Sequence, residues 1–117
     1  MTDANKEVLR RRPIGVFDSG VGGLSVLKVL RETFPREDFV YIGDNVNNPV
    51  GNKPHEEIID IACHIADTLS RVPVKMMVVA CNTFTVVALD EIRERVDVPV
   101  VGVCQGVKTA ILMSKAH

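Results

Sequence analysis

Short apolar, β-branched runs alternate along the chain with longer stretches whose apolar residues recur every three or four positions. Ile14-Gly15-Val16-Phe17 reads as a buried strand, followed by a glycine turn. Leu24, Leu27, Leu30 and Phe34 then fall on one helical face, and Pro35 with the charged residues after it stops that helix. Phe39-Val40-Tyr41-Ile42 is a second strand ending at Gly43-Asp44. Residues 44–54, rich in Asn and Pro, read as a loop. Pro54 suits a helix start, Glu56 and Glu57 suit its positive end, and Ile58, Ile61, Ala62, Ile65 and Leu69 form its apolar stripe. Val74 to Ala80, apolar apart from Lys75, predicts a central parallel strand covered on both faces. Thr83–Val96 is helical, Pro99–Val103 a fourth strand, and Val107–Lys115 a final helix. The alternation predicts an α/β fold: a doubly wound parallel sheet of four strands with helices on both faces. In such sheets ligand sites lie beyond the carboxyl ends of the strands. That rule selects Asp18-Ser19-Gly20, the loop 44–51, Cys81-Asn82-Thr83 and Cys104-Gln105-Gly106.

Composition narrows the class. With 117 residues, 46% hydrophobic and 25% charged, the chain is an ordinary globular domain and too short for two. Fourteen Lys and Arg against fifteen Asp and Glu leave no basic field for nucleic acid or an anionic membrane. No apolar run reaches the roughly 18 residues of a membrane span. Residues 1–12, with Lys6, Arg10, Arg11 and Arg12, read as a polar tail without a signal-peptide core. Three cysteines without metal-ligand spacing suggest reduced thiols, a cytoplasmic setting and no metal.

The strand ends carry the candidate chemistry. In Asp18-Ser19-Gly20-Val21-Gly22-Gly23 the glycines permit a tight turn and let an anion approach backbone N–H groups at a helix start. A dinucleotide fingerprint would need glycine or alanine where Ser25 stands, although Asp44 lies where a ribose-binding acid belongs. No P-loop motif occurs. The glycines alone also fit a turn that only packs helix on strand, a reading that leaves Asp18 and Ser19 unexplained. Cys81 ends the most buried strand and precedes a helix whose positive end favours a thiolate, a nucleophile or general base. It equally fits a small apolar residue finishing a core strand. Cys104 has the same position without the Asn-Thr that follows Cys81. Cys63, mid-helix, reads as packing, and His55 and His64 as a solvated helical face.

Phe17-Asp18-Ser19-Gly20-Val21-Gly22-Gly23, Tyr41-Ile42-Gly43-Asp44, Pro49-Val50-Gly51, Ala80-Cys81-Asn82-Thr83 and Gly102-Val103 occur in this order. Together they resemble the N-terminal part of the glutamate racemases, in the aspartate/glutamate racemase superfamily, from Pro13 onward. The resemblance implies interconversion of L- and D-glutamate without a cofactor, supplying D-glutamate for peptidoglycan. It implies two cysteines on opposite sides of the substrate, one removing the α-proton and the other returning one. Carried over by motif, Cys81 is one of these bases and Asp18 assists it. Ser19, Asn82 and Thr83 hold the substrate, and Pro49, Val50 and Gly51 line the pocket. Val50 stands where the family usually has Tyr, and Cys104-Gln105-Gly106 where it has an acid, Pro and Gly. The family's second cysteine motif is absent, so residues 13–117 are expected to be an incomplete domain carrying one wall of the site.

Three functions fit these observations: a racemase half acting on glutamate or aspartate, a degenerate module binding a small acid or a protein without turnover, or a nucleotide-binding domain. A homodimer joined at its strand ends would set one Cys81 on each side of a shared cavity.

Overall fold

A computed structural model of the chain describes residues 2–20 and 22–103. Cys104, Gln105 and the helix expected over 107–115 lie outside the described residues. Four helices and four strands alternate: α1 (Asp3–Arg11), β1 (Ile14–Asp18), α2 (Leu24–Thr33), β2 (Phe39–Gly43), α3 (His55–Arg71), β3 (Met76–Val79), α4 (Asn82–Arg95) and β4 (Val100–Gly102). The strands form one parallel sheet in the order β2-β1-β3-β4. This is the doubly wound α/β fold that the alternation predicts.

The two faces of the sheet have separate cores. Leu30 and Phe34 from the α2 segment pack with Ile14, Val16, Met76 and Val78 on one face. On the other, α3 and α4 lay Ile58, Ala62, Ile65, Leu69, Phe84, Ala88 and Ile92 against Phe17, Met77 and Val79. The rings of Phe17 and Phe84 meet at a centroid distance of 6.0 Å. β1 and β3 are buried along their whole length, as strands covered on both faces must be. β3 is shorter than the apolar run suggests, because Val74, Lys75 and Ala80 flank the regular ladder.

Residues 1–12, expected as a tail, include helix α1. Thr2 caps it by accepting the Asn5 N–H at 3.1 Å, and Glu7 pairs with Arg10 and Arg11. None of its residues is buried, so no apolar stripe announced it. Capping and one i,i+3 and one i,i+4 ion pair carry its helical signal instead.

Lys75 ties α1 to the amino end of the sheet. Lys75 Nζ donates to both Glu37 oxygens, at 2.5 and 2.9 Å, and to the Arg10 carbonyl at 2.8 Å. Both charged side chains are nearly buried, at 7% exposure each. At the far edge, Arg93 donates twice to the Val100 carbonyl of β4, at 3.0 and 2.9 Å. On the outer surface Arg95 joins α4 to Asp67 of α3 with bonds of 2.8 to 3.0 Å.

Candidate active site

Adjacent parallel strands in register bring their following residues together. Phe17 of β1 lies opposite Val79 of β3, and the Ala80 N–H continues the ladder to the Phe17 carbonyl at 2.8 Å. The next residues out, Ser19 and Cys81, therefore meet at the carboxyl end of the sheet. The Cys81 thiol donates to Ser19 Oγ at 3.4 Å, across 62 residues of sequence.

Cys81 is also the N-cap of α4. Its extended backbone starts the helix, and its sulfur accepts the Phe84 N–H at 3.5 Å. Cys81 as a residue is 7% exposed, so it is shielded by protein yet sits at the rim of the core. Thr85 fixes this turn from below, its hydroxyl donating to the Cys81 carbonyl at 2.8 Å. Asn82 and Thr83 form the first turn of α4, Asn82 exposed and Thr83 half-buried. First-turn amides and the helix dipole make this a place for a carboxylate.

Asp18 organises the glycine turn. Its carboxylate accepts the Ser19 N–H at 2.8 Å and the Gly23 N–H at 2.6 Å, and it is buried. Gly23 is the N-cap of α2 and has no side chain with which to cap it. Asp18 supplies that cap and places negative charge at the helix's positive end. Its link to Cys81 runs through Ser19.

The second strand closes the turn from the other side. The Asp44 N–H donates to the Asp18 carbonyl at 3.1 Å, and the Tyr41 hydroxyl donates to the Gly20 carbonyl at 2.9 Å. Gly43 lies so close to the Gly20 carbonyl that a Cβ there would collide with it. The 44–54 loop reaches the same turn through Asn48, whose side chain lies 3.1 Å from where a Gly20 Cβ would project. Asp44, the ribose-binding candidate, is engaged within its own loop. Its carboxylate accepts the N–H groups of Val46 and Asn47 at 3.1 and 3.3 Å, and the Asn47 side-chain amide at 2.6 Å.

Of the remaining candidates, Pro49 and Gly51 are exposed, and Val50 is buried at 3% exposure. The Val50 side chain belongs to the apolar cluster that also holds Cys81 and Phe84, and its carbonyl accepts the Lys53 N–H at 3.0 Å. Cys63 is buried in α3, and burial pushes its thiol up from the ordinary value, as expected of a packing cysteine. Burial, and secondarily the charge of Asp18, also push the Tyr41 hydroxyl up. Two surface grooves, one between Leu24, Lys28, Pro35 and Phe39 and one between Val26, Val29, Phe34 and Val103, lie away from these groups. Among the described residues no group of three or more His, Cys, Asp or Glu is placed to hold a metal ion, and no helix is long and apolar enough to cross a membrane.

In the sequence Tyr41 belongs to the motif at the end of the second strand, and nothing local assigns it a task. One signal was available: it is the single tyrosine of the chain, two residues before a strand end. Its hydrogen-bond partner, 21 residues away, was not legible.

The chain is similar in sequence and fold to known proteins. The family model for Asp/Glu/hydantoin racemase matches residues 14–117. Glutamate racemase from Corynebacterium diphtheriae is 50% identical over 95 residues, which are 81% of this chain and 36% of that protein. The structure of glutamate racemase from Thermus thermophilus, in complex with β-chloro-D-alanine, superposes with a TM-score of 0.77 at 44% identity. The match covers 92% of this chain and 47% of that one. The enzyme from Francisella tularensis, in complex with D-glutamate, gives 0.78 at 36% identity over 92% of this chain and 46% of that one. The chain thus spans less than half the length of these relatives. It belongs to the Asp/Glu/hydantoin racemase family.

Proposed function

We propose that this chain carries one wall of an amino-acid racemase site for glutamate, with Cys81 as an acid/base group. The observation that carries the reading is the Ser19–Cys81 contact at the head of α4. The Ser19 hydroxyl there can accept from the thiol and can turn to donate to the sulfur once its proton has moved. The substrate's α-carboxylate fits the first turn of α4, beside Asn82 and Thr83. This sets Cα above the sulfur, which takes the α-proton from one face. Asp18 keeps Ser19 and the glycine turn in place, and Pro49 and Gly51 border the substrate through their backbone. No cofactor enters these steps.

Inversion needs a second proton donor on the opposite face of Cα. One thiol cannot stand on both faces, so the reading requires a second group: Cys104, a group on further polypeptide, or one from a second copy of the chain. The D-glutamate bound by the Francisella relative supports the choice of substrate. D-Glutamate so formed would serve peptidoglycan synthesis in the cytoplasm.

The test incubates the protein with L-glutamate in D2O and follows Cα by NMR and chirality by chromatography. Deuterium at Cα supports the thiol chemistry, and D-glutamate shows in addition that a second donor is present. Binding of glutamate without any deuterium uptake would instead make the chain a binding module.

A further inference from the structure

We infer that Tyr41 is a positioning residue for Cys81, acting through the Gly20 carbonyl and Ser19. The inference rests on the reading of Cys81 as the working base. Its observations are a chain of contacts: Tyr41 hydroxyl to Gly20 carbonyl at 2.9 Å, Gly20 joined to Ser19, and Ser19 Oγ to Cys81 Sγ at 3.4 Å.

The glycine turn needs such a clamp. Asp18 holds the amide of Ser19 on one side and that of Gly23 on the other. Gly20 lies between these two anchors, and glycine restricts its own backbone less than any other residue. The Tyr41 hydroxyl fixes its carbonyl, while Gly43 closes against the same oxygen. Both belong to β2, so the second strand sets where Ser19 presents its hydroxyl. Burial, and secondarily the charge of Asp18, push the Tyr41 hydroxyl up from its ordinary value, which keeps it protonated as a donor through the neutral range. A displacement on the order of 1 Å is enough to spoil a proton-transfer geometry. The phenol ring packs against the core cluster that holds Ile14 and Val16, and Tyr41→Phe preserves that packing while removing only the donor.

The test reads the thiol itself and needs no glutamate. Iodoacetamide labelling of Cys81 is followed by peptide mass spectrometry across the pH range in which thiols titrate. The proteins are the parent chain, Tyr41→Phe, Ser19→Ala and the double variant. Cys63, buried in α3, serves as an internal reference for general loosening, and the urea midpoint checks the fold. Tyr41→Phe is expected to move the pH profile of Cys81 labelling in the same direction as Ser19→Ala. The rate at neutral pH should change by about three- to fivefold, the worth of one hydrogen bond. The double variant should match Ser19→Ala alone, because both substitutions break one chain of contacts. Additive effects would overturn the inference, as would a Tyr41→Phe profile identical to the parent's or a parallel change at Cys63. Since labelling and glutamate exchange are separate readouts, failure of the racemase reading and failure of this one are told apart.

Discussion

The thiol of Cys81 and the hydroxyl of Ser19 stand 3.4 Å apart because the parallel register of β1 and β3 carries two distant segments to one rim. Neither residue needs the other for the strand ladder to form. The contact is additional to the fold, which makes it separable by mutation.

Cys81→Ala should abolish α-proton exchange with the fold retained. The substitution removes a small side chain and its hydrogen bonds to Ser19 and Phe84, a loss of about 1 kcal/mol. Deuterium uptake by glutamate checks the chemistry, and urea unfolding checks the stability. Exchange persisting near the parent rate would end the assignment and direct attention to Cys104.

Asp18→Asn should lower stability by about 1–3 kcal/mol, since it removes a charged acceptor from two backbone amides and from the head of α2. Exchange at glutamate Cα should fall with it, because Ser19 is no longer held. Unfolding midpoints and exchange rates measured on the same preparation test both halves. A stable variant with full activity would show that the turn holds itself.

Replacing one member of the Lys75–Glu37 pair should be costly. Lys75→Met leaves a nearly buried carboxylate without a partner and is expected to destabilise by about 3 kcal/mol. It also releases the Arg10 carbonyl, so amide exchange in α1 should accelerate. The double variant Lys75→Met, Glu37→Leu should recover most of the stability, which chemical denaturation can establish.

The Arg95 guanidinium beside Asp67 holds that carboxyl below its ordinary value. A depressed acid contributes stability above its unfolded value, and that contribution is lost as pH falls through the folded value. The melting temperature of the parent should thus exceed that of Asp67→Asn at neutral pH, and the two should converge in acid. The gap is expected to be small, since both groups face solvent and salt screens them. A gap that persists unchanged into strong acid would exclude the ion pair as its cause.

Much of the fold was legible because burial writes a period into sequence. β1, β3 and the stripe of α3 are apolar where the core requires it, and their order alone fixed the parallel class. α1 was read as a tail because it buries nothing, so its signal lay in Thr2 and the Glu7 pairs rather than in apolar spacing. The strand-end rule, which depends only on topology, points to Asp18, Ser19 and Cys81, and the structure brings these three together at the carboxyl end of the sheet. The motif assigns Val50 to the pocket lining, and the structure buries its side chain in the same apolar cluster as Cys81. The task of Tyr41 stayed hidden because it depends on how two strands are aligned, and no local pattern encodes that.

Arg93 has a consequence for how the molecule meets its neighbours. β4 is the outer strand on its side among the described residues, and a bare strand edge invites another strand to pair with it. The Val100 carbonyl there already receives two bonds from the guanidinium. An arriving chain would have to displace a charged fork to claim that oxygen. The edge is thereby guarded against uncontrolled sheet extension.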